Sequence, residues 1–143
     1  MAPCASRSFR LPTSVDQMGA IDGHFERLLG RYPGATIAAL PGTGWVVRVP
    51  EVCLPDGWSK RRTRVLFIAP QGYPFANPDC FWADSDLRLA NNGMPQNTSS
   101  NPMPGTNEPL FWFSWHLLQP WNPSRDDFLT WMAVVKQRFA RPI

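Results

Sequence analysis

Three prolines spaced four apart, Pro70, Pro74 and Pro78, follow directly on an apolar run from Val65 to Ala69. Proline has no N–H to give a sheet ladder, so residues 70–78 must run extended along the edge or end of a sheet. The run before them is apolar on both faces from Val65 to Ile68, which reads as a central strand. After the prolines, Cys80 to Trp82 is a short strand, and LFWFSWHLLQPW over residues 110–121 is dense enough in aromatics to be at least half buried.

The flanking segments complete the pattern. Val15, Met18, Ile21, Phe25 and Leu28 recur at intervals of three and four, one apolar stripe on a helix of about four turns. Thr13 and Ser14 offer its cap, and Gly30 and Pro33 stop it. Strands are predicted over Thr36 to Leu40 and Trp45 to Val49, joined by the turn Pro41-Gly42-Thr43-Gly44. In the second, Val46 and Arg48 share one face, and Trp45, Val47 and Val49 the other. A last helix is expected with Ser124 as cap, Asp127 as its N3 partner, and Leu129, Met132, Val135 and Phe139 inward. Lys136, Arg138 and Arg141 then favour its negative end. Short links suit an antiparallel meander. The reading is α+β: a four-stranded antiparallel meander between an N-terminal and a C-terminal helix. Residues 1–12 are expected as a flexible tail and 13–143 as one domain. Within it, Asn91 to Pro109 is a long loop, either disordered or functional.

Composition excludes some classes. A formal net charge of +3 gives no strong pull toward nucleic acid. No apolar stretch approaches the ~20 residues of a membrane helix, and MAPCASRSFRLPT has no apolar signal core. Cys4, Cys53 and Cys80 are odd in number and far apart. That argues against a disulfide scaffold and a zinc motif, and fits the cytoplasm. No cofactor or metal is implied.

Ser114 and His116 stand out for chemistry. Two apart on a strand, they face the same way. A serine hydroxyl needs a base or strong preorganisation to act as a nucleophile, and an imidazole of ordinary pKa near ~6.5 can supply the base. A local cap and a packing histidine account for the pair equally well on spacing alone. Cys80 is the thiol alternative, set in an apolar strand with no adjacent cation; Cys53 and Cys4 rank below it. His24, mid-helix, reads as structural or exposed. Lys60, Arg61, Arg62 and Arg64 suggest a basic module, yet no aromatic interleaving or base-reading motif accompanies them. The glycines at 42 and 44 form no nucleotide loop.

The order helix, meander, YPxxxP (Tyr73, Pro74, Pro78), long loop, Trp-x-Pro (Trp121, Pro123), helix resembles the ubiquitin-conjugating E2 fold. The stretches LPDGWSKRRTRVLFIAPQGYP and FWFSWHLLQPWNPSRDDFLTWMAVVKQRF look most like prokaryotic E2 family E, and the resemblance covers roughly residues 14–141. In ordinary E2 enzymes the acceptor cysteine lies about eight residues before the Trp-x-Pro tryptophan, after a His-Pro-Asn element. Here that count reaches Phe113, with Ser114 beside it, and neither the cysteine nor His-Pro-Asn is present.

The resemblance therefore implies a bacterial E2-like protein that accepts a ubiquitin-like modifier from an E1-like enzyme, as an oxyester on Ser114 aided by His116, and passes it to a target. An inactive E2 variant acting as a scaffold is the alternative, and a nucleic-acid module the remote one. Asn97, Asn101 and Asn107 are the oxyanion candidates, and Asp22, Glu26, Arg27 and Arg31 mark the expected E1-binding face of the first helix. Family context adds a JAB-type metalloprotease and a link to antiphage defence.

Overall fold

The structure, a computed structural model, describes residues 15–143. The expected tail at 1–12, the Thr13/Ser14 cap and Cys4 lie outside the described residues. Two helices, α1 (Val15–Arg31) and α2 (Phe128–Phe139), flank six strands in sequence. These are β1 (Thr36–Leu40), β2 (Gly44–Cys53), β3 (Arg62–Pro70), β4 (Phe81–Asp84), β5 (Thr98–Ser99) and β6 (Leu110–Phe113). All ladders are antiparallel, in the order β1-β2-β3-β4-β6-β5. The four-stranded meander is present as β1 to β4. The aromatic run adds β6 beside β4, and the long loop supplies β5 beyond it, so the sheet has six strands rather than four. The extra strands answer a physical need, since Trp82 and Ala83 on β4 would otherwise leave a ladder edge unpaired.

One face of the sheet carries the main core. Val47, Val49, Val65, Phe67, Phe81, Phe111 and Phe113 alternate inward and meet Ile21, Phe25 and Leu28 of α1 and Phe128, Trp131, Val135 and Phe139 of α2. The opposite face is also covered. Val46, Leu66, Trp82 and Leu110 bury Met103, which the 91–109 segment carries across them as a strap. Trp82 Nε1 donates to the Asn101 carbonyl at 3.0 Å, and Glu108 accepts from Arg48 at 3.1 Å and from Arg64. Both bonds hold Glu108 well below the usual carboxylate range. The stretch from 91 to 109 is thus a packed strap that carries a strand.

Helix α2 starts later than expected. Asp127, not Ser124, is the N-cap: its carboxylate accepts from the Leu129 and Thr130 amides, and the Thr130 hydroxyl accepts from the Asp127 amide. Ser124 instead belongs to the preceding turn, its amide donating to Asn122 Oδ1. Arg138 also departs from expectation. Its guanidinium is buried, donates to the carbonyls of Gln96, Arg141 and Ile143, and lies over Trp58, Phe113 and Trp115. Planar, weakly hydrated guanidinium suits such a slot.

Candidate functional site

The site lies where the β4–β6 ladder ends. Phe81 pairs with Phe113, and their rings stack with centroids 4.8 Å apart. In an antiparallel register the next pair outward is Cys80 and Ser114, so residues 34 positions apart come together by strand pairing alone. The ladder is then broken: the Cys80 amide donates to the Trp115 carbonyl at 2.9 Å, and the Ser114 amide to the Asn97 carbonyl at 2.8 Å. Cys80 (φ 62°) and Asn97 (φ 61°) both adopt left-handed backbone. Asparagine tolerates this; a cysteine there is uncommon and mildly strained.

Four side chains meet at this corner. His116 Nδ1 is 2.7 Å from Asp79 Oδ1, and the Cys80 thiol points to Asp79 Oδ2 at 3.8 Å. One ligand atom each from Asp79, Cys80 and His116 falls within 4.8 Å of the others. The Ser114 hydroxyl lies beside the Cys80 thiol. Burial pushes that thiol up; the Asp79 charge adds to the shift, while the Trp115 backbone and the Ser114 hydroxyl offset part of it. At neutral pH the resting thiol is protonated and needs a base to become a nucleophile. Exposure divides the group: Asp79 and His116 are 55% and 61% exposed, whereas Cys80 is 9% exposed and Ser114 lies between them.

Asp79 is the member that sequence reasoning missed. It supplies the carboxylate for His116 across 37 positions, and an isolated aspartate carries no signal of that. Only the Phe81–Phe113 register would have revealed it. Cys53, at the end of β2, is disulfide-bonded and so is not a competing thiol. The asparagines separate. Asn97 reaches Ser114 through its carbonyl, an acceptor, so that contact is not an oxyanion donor. Asn101 is held on the strap face by Trp82, and Asn107 adjoins the Glu108 clamp on that same face. On α1, Asp22 and Glu26 are half-buried, and Arg31 is exposed. Arg27 pairs with the α2 cap, its Nε 2.9 Å from Asp127 Oδ2. The basic run is partly neutralised: Lys60 lies 2.6 Å from Asp84 and 3.0 Å from Asp86, and Arg64 lies 2.7 Å from Asp84.

The two proline motifs that frame the corner touch each other. Trp121 Nε1 donates to the Pro74 carbonyl at 2.7 Å, with the Tyr73 and Trp121 rings 6.1 Å apart. An antiparallel sheet backed by two helices, with YPxxxP locked onto Trp-x-Pro, is E2-like. The chain belongs to prokaryotic E2 family E, whose family model matches residues 37–142. No curated protein and no solved structure matches it.

Proposed function

We propose that this E2-like protein takes a ubiquitin-like modifier from an E1-like enzyme onto Ser114, with His116 as base and Asp79 as its orienting carboxylate. The observation that carries the reading is the 2.7 Å His116–Asp79 bond, between residues two beyond Ser114 and one before Cys80. With Nδ1 held by the carboxylate, the second ring nitrogen is the one available to a hydroxyl, the division of labour of a nucleophile–base–acid set. The hydroxyl oxygen attacks the carbonyl of the E1-bound thioester. Its proton passes to His116 as the C–O bond forms, then to the departing thiol as the C–S bond breaks. Oxyesters are poorer donors than thioesters, so onward transfer to an amine relies on positioning at the corner.

A second reading has support of its own. The Cys80 thiol lies 3.8 Å from Asp79 Oδ2 and within 4.8 Å of the His116 ring nitrogen, and it is the better nucleophile once deprotonated. Adduct chemistry separates the two. Incubation with the E1-like enzyme, ATP and modifier is expected to give an adduct that survives thiols, yields to hydroxylamine and is lost in Ser114→Ala. A thiol-labile adduct lost in Cys80→Ala moves the acceptor to Cys80, and the absence of any adduct by intact mass leaves a scaffold. His116→Ala should slow loading about 10²–10⁴-fold, the range for a lost general base. A JAB-type protease of the same system would remove the modifier.

A further inference from the structure

We propose that Asp79, Cys80 and His116 bind a divalent transition-metal ion of the zinc type. Binding requires no second element of the conjugation system; only its consequence for activity rests on the acyl-carrier reading above. Thiolate, imidazole and carboxylate are the three ligand types that zinc takes, and a three-residue set with an open fourth position is a recurrent arrangement for it. No cysteine–histidine spacing motif announces this set, because its members sit at 79, 80 and 116 and are joined by the β4–β6 register alone.

The geometry is close to what an ion needs. Bonds of about 2.0–2.3 Å to N, O and S place tetrahedral ligand atoms roughly 3.3–3.8 Å apart. The Cys80 Sγ–Asp79 Oδ2 separation is 3.8 Å, and the widest of the three is within 4.8 Å. The His116 ring and the Asp79 carboxylate are more than half exposed, so both can turn by the ångström that remains. Cys80 cannot, and need not: its left-handed backbone and its amide bond to Trp115 fix the thiol between the two movable ligands. The exposed side leaves the fourth position to water. On binding, the thiol proton goes to solvent, the Asp79–His116 hydrogen bond is replaced by two metal bonds, and no electron is transferred.

The same imidazole and carboxylate serve as base and orienting group in acyl loading, so a bound ion and loading exclude each other. Zinc would act as a reversible brake on the corner.

Cobalt(II) titration of the full chain tests the site without any partner. A thiolate-to-cobalt charge-transfer band is expected at one ion per chain, displaced by zinc and abolished in Cys80→Ala, which keeps Cys4 and Cys53. His116→Ala, at an exposed position that the fold does not need, should weaken binding by at least the ~10–100-fold that even an outer-shell partner contributes. No charge-transfer band, or a band that survives Cys80→Ala, overturns the proposal. A band with no zinc effect on adduct formation keeps the site and removes the brake. Failure of adduct formation in zinc-free buffer that still supplies magnesium for ATP would instead strike the acyl-carrier reading and leave the metal site standing.

Discussion

The chain has two histidines, and they are held by bonds of almost equal length in opposite surroundings. His24 Nδ1 lies 2.6 Å from the Tyr73 hydroxyl, and its ring stands edge-on to Tyr73 and Phe128. His116 Nδ1 lies 2.7 Å from a carboxylate, with most of its ring in solvent. The first ties α1 to the turn after β3, with a neutral partner and aromatic walls. The second has an anionic partner, open access, and a thiol and a hydroxyl close by. A short bond to histidine therefore says little about role. What separates a packing histidine from a candidate base is the charge of the partner and whether the other ring nitrogen can be reached.

The largest test of this contrast sets the last residue of β6 against its neighbour just beyond the strand. Phe113 stacks on Phe81 and meets Phe111 and Phe139 edge-on. Phe113→Ala is expected to cost about 3–5 kcal/mol of unfolding free energy, the range for a buried aromatic truncated to alanine. Ser114→Ala, one residue out, should stay within about 0.5 kcal/mol while abolishing the adduct. Asp79→Asn behaves like Ser114→Ala in stability, because the hydrogen bond it alters is exposed on both sides. Urea denaturation of the three variants decides the matter. A Ser114→Ala loss as large as that of Phe113→Ala would make the corner part of the core and end the comparison.

The strap is an intermediate case. Met103 is 1% exposed but sits in a cluster of only a few apolar side chains. Met103→Ala should therefore fall at the low end for buried methionine, about 2 kcal/mol. Hydrogen exchange should show the Trp82 indole and the amides around Asn101 opening first, with protection in β2 and β3 retained. Loss of protection throughout the sheet would mean that the strap face carries as much of the fold as the helix face does.

Periodicity located both helices and the first four strands because each buries a stripe or face of its own, and the YPxxxP and Trp-x-Pro motifs pointed to the family. The misses share a cause. Residues 98–99 pair with β6 at the end of the sheet and carry no apolar alternation, so β5 had no local signal. Met103 and Arg138 are buried by contacts that their local sequence does not announce: one by a strap crossing β4, the other by the distant Gln96 carbonyl together with the carbonyls of Arg141 and Ile143 just beyond the helix. At the α2 cap, two aspartates and a serine compete within four residues, and the bond to Thr130 selects Asp127. Ser114 and His116 were visible as a pair. Asp79 was not, because its meaning depends on which residue of β4 faces which of β6.

The smallest expected effect returns to the inner histidine and is read in pH. Burial, and then the charge of Arg27, depress the proton affinity of His24 below its ordinary value, with Asp127 pulling part of the way back. The unfolded chain takes up that proton near the ordinary pKa of about 6.5, before the folded chain does. The stability contributed by neutral His24 is therefore present above about pH 6.5 and is lost as pH falls through the lower folded value. His24→Gln removes the titrating group, so its unfolding free energy should change less than that of the parent between about pH 7.5 and about pH 5.5. The comparison is made as a difference between the two proteins, so carboxylates common to both cancel. An equal slope would mean that the folded chain protonates His24 as readily as the unfolded one. The Tyr73 hydroxyl would then be accepting from an imidazolium.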